Sequence, residues 1–202
     1  MHKSGVIEYK HDGYVCEGFA VWDDAGAKRP GILVFPEWVG VGEYTHKRAQ
    51  MLGDLGFNAF VVDVYGKGIR PNTPETCEAE MMKYATNRPL LRERARCGFD
   101  QLRKVPNTDL SKMAAIGYCF GGLAVLEMAR DGQNDLAGVV SFHGVLATAT
   151  PLKPDTFWCC TELTIQSCRT IRRWRSGKRC AMPRQIGSSS PTATRSTPSP
   201  TG

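Results

Sequence analysis

The amino-acid sequence predicts an α/β fold, with a mostly parallel sheet and helices on both of its faces. Continuously apolar segments of strand length alternate, over the first 150 residues, with segments that have helical spacing. Apolar strands are typical of sheets covered on both sides, and strands that alternate with helices pair in parallel. The chain has 202 residues, of which 42% are hydrophobic and 23% charged, as expected for one soluble globular domain with a possible tail.

The predicted elements begin with a β-hairpin and a buried strand. Residues 6–10 and 14–22 alternate between apolar and polar side chains and flank Asp12-Gly13, a pair that favours a tight hairpin turn. Residues 31–35 are apolar throughout and follow a proline. Apolar residues at helical spacing then predict a helix from Glu43 to Leu55, which a glycine ends.

Three further strands and three further helices continue the same alternation. In chain order they are strand 57–64, helix 74–86, helix 89–104, strand 113–117, helix 121–130 and strand 136–142. Many enzymes and binding proteins share such a sheet, so this pattern predicts the architecture without choosing a function.

A glycine-rich segment, Gly117-Tyr118-Cys119-Phe120-Gly121-Gly122, lies between a predicted strand and a predicted helix. It matches the G-x-S-x-G nucleophile elbow, with cysteine in the position of the nucleophilic serine. We therefore predict that Cys119 is a nucleophile at a helix N-terminus, where its thiol pKa would be lowered. The backbone N–H of Phe120 is then a candidate donor to an oxyanion. A buried structural cysteine and a phosphate-binding turn are the alternatives, although no lysine of the Walker type is present.

The loop Pro36-Glu37-Trp38-Val39-Gly40-Val41-Gly42 follows the first buried strand. In a sheet of this kind ligands bind at the carboxyl ends of the strands, so this loop is predicted to border the site. The backbone N–H of Trp38 is a candidate for the second oxyanion donor. Glu37 is expected to contact Cys119, the alternative being a solvated loop carboxylate.

These two segments, together with Val62-Asp63-Val64-Tyr65-Gly66-Lys67-Gly68 and Ser141-Phe142-His143-Gly144, resemble the dienelactone hydrolase family over about residues 5–154. The resemblance implies an α/β-hydrolase fold and a Cys-His-Asp triad that hydrolyses small esters or lactones. It implies that Cys119 is the nucleophile and that Glu37 helps to control its ionisation. It also offers Arg88 and Arg92 as candidates that bind a substrate carboxylate. We expect no cofactor and no metal ion.

The acid and the histidine of such a triad should both follow residue 150. The chain has no Asp after Asp155, and its last histidine is His143, which we interpret as a packed or strand-end residue. The charge also changes here, because residues 1–155 carry a net −1 and residues 156–202 a net +7. The chain thus divides into a hydrolase core at 1–154 and a basic Ser/Thr/Pro-rich tail at 155–202.

We interpret the tail as an out-of-frame, disordered translation. With G/C-rich codons, shifting the frame of residues 157–168 gives Leu-Val-Leu-His-Gly-Ala-Asp-Asp-Pro-Val-Val, a strand followed by an acidic loop. The same shift over residues 191–201 permits Gly-Asp-Ala-Val-His-Ser-Phe-Thr-Asn, which supplies a histidine. We therefore hypothesise a frameshift near codon 155. This hypothesis predicts that the chain, with its sequence as it stands, is poorly folded or nearly inactive.

The sequence leaves two alternatives to the hydrolase. A genuine basic tail could bind nucleic acid, but its two tryptophans and four cysteines disfavour this, and those cysteines lack zinc-site spacing. A non-catalytic α/β-hydrolase-like binding protein is a further alternative. No apolar run of 18 residues and no signal peptide is present, so no membrane partner is expected. The cysteines outside the tail show no disulfide framework, which predicts a cytoplasmic protein.

Overall fold

The computed structural model describes residues 2–132, 135–145, 157–160 and 172–174, which contain eight strands and four helices. In chain order these are β1 (Lys3–His11), β2 (Tyr14–Trp22), β3 (Arg29–Phe35), α1 (Glu43–Asp54), β4 (Asn58–Val61), α2 (Pro74–Ala85), α3 (Arg88–Lys104), β5 (Thr108–Tyr118), α4 (Phe120–Asp131), β6 (Leu136–Phe142), β7 (Phe157–Cys160) and β8 (Arg172–Trp174). The predicted alternation of strands and helices is confirmed.

The strands form one mixed sheet in the order β1-β2-β4-β3-β5-β6-β7-β8. The five strands from β4 to β7 in that order pair in parallel, whereas β1 with β2, β2 with β4, and β7 with β8 pair antiparallel. The predicted hairpin joins β1 to β2, and both turn residues, Asp12 and Gly13, have positive φ. Two-residue hairpin turns of this kind match the twist of the strands that they connect.

Two strand boundaries differ from the sequence prediction. β5 begins five residues before the predicted position, because Thr108 and Asp109, which are polar, nevertheless pair with the start of β3. β4 ends three residues early, since the Asp63 carboxylate accepts hydrogen bonds from the N–H groups of Glu17 and Gly66, at 2.8 and 3.0 Å. The bond from Gly66 closes a turn immediately after the strand, whereas the bond from Glu17 ties Asp63 to β2.

Helices cover both faces of the sheet, as predicted. The side chains of β3 alternate between the faces, so that Leu33 and Phe35 pack with α2, α3 and α4, whereas Ile32 and Val34 pack with α1. Each apolar side chain of this size contributes about 1.5–3 kcal/mol to folding when it is fully buried. Among the described residues, no helix is long and apolar enough to cross a membrane.

The register of β3 and β5 positions the candidate site. Phe35, the last residue of β3, is paired with Gly117 near the end of β5. The loop that follows β3 and the turn that follows β5 therefore emerge side by side at the carboxyl edge of the sheet, where ligands bind in folds of this type.

The segment predicted to be out of frame lies mostly outside the described residues. Its described parts are β7, which pairs with β6, and β8, which pairs with β7. The domain boundary at residues 154 and 155, the frameshift and the disorder of the tail stay predictions.

Candidate active site

Cys119 occupies a strained turn between β5 and α4. Its φ is 52° and its ψ is −112°, a conformation that costs a non-glycine residue on the order of 1–3 kcal/mol. Its N–H donates to the carbonyl of Phe142 at 2.9 Å, and its own carbonyl accepts from the N–H of Leu123 at 3.3 Å. These bonds, to the end of β6 and the first turn of α4, hold the strained residue in place. The predicted strand-turn-helix arrangement around Cys119 is confirmed.

The glycines of the elbow are required by close backbone contacts. A Cβ atom at Gly117 would lie 2.0 Å from the carbonyl oxygen of Gly121, and one at Gly121 would lie 2.3 Å from the carbonyl oxygen of Phe35. A Cβ atom at Gly122 would lie 2.6 Å from Oγ of Ser141. Since real Cβ atoms essentially never approach other atoms within 3.0 Å, the elbow packs against β3 and β6 only with glycine at these positions.

The pKa of the Cys119 thiol is shifted upward, whereas the sequence predicted a downward shift. Burial raises its pKa above the usual value, the N–H of Phe120 opposes this, and the negative charge of Glu37 raises the pKa further. The prediction of a lowered thiol pKa is therefore wrong in its net direction, because desolvation outweighs the favourable N–H at the start of α4. Glu37 is half-buried, and no hydrogen bond between its carboxylate and the thiol is among the described contacts, so the predicted Glu37–Cys119 contact stays a prediction.

The loop after β3 is tied to the elbow by a tyrosine that the sequence analysis did not single out. Glu37 begins a turn in which its carbonyl accepts from the N–H of Gly40 at 3.0 Å. The hydroxyl of Tyr65 donates to the carbonyl of Trp38 at 2.8 Å, and the Tyr65 ring stacks on that of Phe120 with centroids 5.8 Å apart. Tyr65 thus contacts both residues predicted to supply oxyanion donors. Its position after β4, at the same sheet edge, was the available signal.

The two candidate arginines are in different situations. Arg92 is engaged with Glu127, whose Oε2 accepts from Nε at 2.9 Å and lies 2.7 Å from Nη2. This pairing does not favour the predicted role of Arg92 as a substrate ligand. Arg88 fits that role better, since its Nη1 is buried without a hydrogen-bond partner among the described residues. Glu127 and Arg130, which no local sequence pattern indicated, lie 2.8 Å apart as a buried ion pair.

Within the described residues, no hydrogen bond joins a histidine to the Cys119 thiol. His143 lies directly after β6, with φ at 43°, and is exposed, so it is the predicted strand-end residue and is not packed. His46, in α1, stacks on Phe19 of β2, and burial and then the charge of Arg70 lower the pKa of His46. The base that would activate the thiol is therefore not among the contacts that the structure describes.

Two other features lie away from the elbow. One group of side chains could hold a metal ion, because its ligand atoms lie within 4.8 Å of one another; it consists of His11, Asp12 and Glu93. The carboxylate of Asp12 is largely exposed, so we assign this group no role.

A cavity of about 430 Å³ lies against residues 39–42, with Glu17 and Arg70 in its wall, and Cys119 does not line it.

Comparison with known proteins agrees with this architecture. The dienelactone hydrolase family matches residues 17–160. The solved structure of m3DLH has 33% sequence identity and a TM-score of 0.71, and the match covers 79% of this chain and 68% of that one. P91, a dienelactone hydrolase-like promiscuous phosphotriesterase from metagenomic libraries, has 35% identity and a TM-score of 0.68, with 73% and 62% covered.

The curated match is shorter than the structural ones. An uncharacterised protein of Caenorhabditis elegans is 38% identical over 63 residues, which are 31% of this chain and 38% of that protein. The matched part of the chain thus spans well under half of that curated relative and about two thirds of the solved structures. The predicted α/β-hydrolase fold is confirmed by the structural neighbours. Because the family match extends over well over half of the chain, from β2 to β7, this protein belongs to the dienelactone hydrolase family.

Proposed function

We propose that this chain carries the nucleophilic half of an ester or lactone hydrolase, with Cys119 as the nucleophile. The observation that carries the proposal is the strained conformation of Cys119 on a turn whose glycines leave no room for a side chain. Strain of this kind persists only where the surrounding structure enforces it, and it is concentrated at functional sites. A cysteine that served only to pack would not need it.

The proposed reaction is acyl transfer through a thioester. Sγ of Cys119 attacks the carbonyl carbon, the new C–S bond forms, and the N–H groups of Trp38 and Phe120 stabilise the oxyanion. The C–O bond to the leaving alcohol then breaks, and the alcohol takes up the proton that the thiol lost. Water finally cleaves the thioester, which releases the acid and restores the thiol. Glu37 contributes by controlling the ionisation of the thiol, whose pKa its charge raises.

Ester turnover by the chain, with its sequence as it stands, should be slow. The sequence has no Asp after Asp155 and no His after His143, so the acid and the base of the predicted triad are missing. Removing a triad member typically costs on the order of 10⁴–10⁶ in rate. The family match stops at residue 160, close to the predicted frameshift, which supports the proposal that the reading frame changes there.

Stoichiometric acylation tests the nucleophile without requiring turnover. We expect the full chain to release p-nitrophenolate from p-nitrophenyl acetate and to carry an acetyl group on the Cys119 peptide by mass spectrometry. Cys119→Ala should lose that modification, whereas Cys97→Ala, which removes a half-buried free thiol, should keep it. Absence of acyl Cys119 in the unaltered chain would contradict the proposal and favour the non-catalytic binding protein. A phosphotriester extends the same assay to the activity for which P91 is named.

Arg88 is proposed as the group that binds a carboxylate on the substrate. Support comes from its buried and unpartnered Nη1, whereas Arg92 is committed to Glu127. Arg88→Met should slow acylation by a half-ester of a dicarboxylic acid more than acylation by an uncharged ester. Equal slowing with both esters would contradict this role. The predicted partner remains a small-molecule ester or lactone, and a cytoplasmic location remains a prediction.

A further inference from the structure

We propose that Tyr65 is a positioning residue that fixes the oxyanion hole by joining the loop after β3 to the nucleophile elbow. The proposal deepens the proposed function and rests on it. Tyr65 reaches both elements at once, because its hydroxyl bonds the backbone of Trp38 while its ring stacks on Phe120. Among the described residues, no hydrogen bond or ring stacking joins Trp38 directly to Phe120.

The hydroxyl of Tyr65 acts on the backbone of the loop. It donates to the carbonyl of Trp38 at 2.8 Å, and that carbonyl belongs to the peptide group that follows the proposed donor N–H. Burial is the main cause that raises the pKa of Tyr65 well above its usual value, so its hydroxyl stays protonated and remains a donor. The bond therefore restrains rotation of the loop about Trp38 over the whole working pH range.

The ring of Tyr65 sets the spacing between the loop and the elbow. Its side chain is among the fully buried ones, and it stacks on Phe120 with an interplanar angle of 26°. On the loop side, a Cβ atom added to Gly40 would lie 3.0 Å from Cδ2 of Tyr65, so the loop backbone rests directly on the ring. The ring is thus a rigid spacer between the two proposed oxyanion donors.

Tyr65 is itself held by its neighbours. Its carbonyl accepts from the hydroxyl of Tyr84 at 3.0 Å, and the two rings lie 5.5 Å apart. Just before it, the Asp63 carboxylate accepts from the N–H of Gly66 at 3.0 Å and fixes the turn that contains Tyr65. A side chain held at both backbone and ring can transmit a fixed position to the loop, as a positioning group must.

Two reactions of the same thiol separate positioning from general damage. Acylation of Cys119 by p-nitrophenyl acetate develops an oxyanion, whereas alkylation by iodoacetamide displaces iodide and develops none. Losing one oxyanion donor costs about 10²–10³ in rate, and a loosened donor should cost about tenfold. We expect Tyr65→Phe to slow acylation about tenfold while its alkylation rate stays within about twofold of the unaltered chain.

The matched control is Tyr44→Phe, which removes a phenolic hydroxyl that bonds only the Arg48 side chain among the described contacts. It should leave the ratio of acylation to alkylation unchanged. Tyr84→Phe keeps the Tyr65 hydroxyl but loosens its support, and it should lower the ratio less than Tyr65→Phe does. If Tyr65→Phe slows both reactions equally or slows neither, the positioning role is wrong. If the unaltered chain forms no acyl Cys119, the proposed function fails and this role with it.

Discussion

Replacing Gly121 with alanine should damage both the stability and the chemistry of the elbow. The new Cβ would lie 2.3 Å from the carbonyl oxygen of Phe35 and 2.6 Å from that of Pro36. Relief needs a backbone shift of about 1 Å, since ordinary contacts begin near 3.4 Å. Overpacking costs typically about 1–3 kcal/mol, and because both obstacles are backbone atoms we expect a loss of about 3 kcal/mol in the free energy of unfolding.

The shift should also reach the oxyanion hole, because Phe35 and Pro36 lead directly to Glu37 and Trp38. We expect acylation of Cys119 to slow by about tenfold or more, as displaced catalytic groups typically do. Urea denaturation followed by circular dichroism measures the stability change, with Gly5→Ala as the control. At Gly5 the nearest contact of a Cβ is 3.9 Å, to the Trp22 ring, so that variant should stay within about 0.5 kcal/mol. Equal stability and equal acylation in the two variants would refute the reasoning.

The remaining predictions concern charge and reading frame. Glu37→Gln should lower the pKa of Cys119 and speed iodoacetamide alkylation at pH 7, because the carboxylate raises that pKa; an unchanged or slower rate contradicts this. Glu127→Gln removes the buried carboxylate that Arg92 and Arg130 share, and should cost about 3–5 kcal/mol in urea denaturation; a loss under about 1 kcal/mol contradicts this. Restoring the frame near codon 155 should raise ester turnover by about 10⁴. An intact transcript without an indel argues against the frameshift.

Local patterns explain what the sequence could predict. The elbow depends on glycines within three residues of Cys119, and the hairpin on Asp12-Gly13, so both follow from short segments. The buried strands are recognisable because β3 and β4 are apolar on both faces. The start of β5 was missed for the same reason, because Thr108 and Asp109 pair with β3 without apolar side chains to indicate a strand.

Contacts between distant residues explain what the sequence could not predict. Glu127 pairs with Arg92 across 35 residues, and Tyr65 bonds Trp38 across 27, so neither partner is visible from local spacing. The predicted direction of the Cys119 pKa shift was wrong because the sequence shows that this residue precedes a helix but does not show that the folded chain buries it. In each case the missing information is the set of neighbours that only the folded chain brings together.

The raised thiol pKa changes how the elbow should be understood. Burial and the negative charge of Glu37 both raise the pKa of the Cys119 thiol, so both disfavour its thiolate at neutral pH. The elbow therefore supplies the position of the nucleophile and, we propose, an oxyanion hole held by Tyr65, but it does not supply the thiolate. Ionisation has to come from a base outside the described contacts. Geometry and ionisation are thus separate requirements at this site. The alkylation rate of Cys119 measures its ionisation, and the ratio of acylation to alkylation measures the geometry of the oxyanion hole.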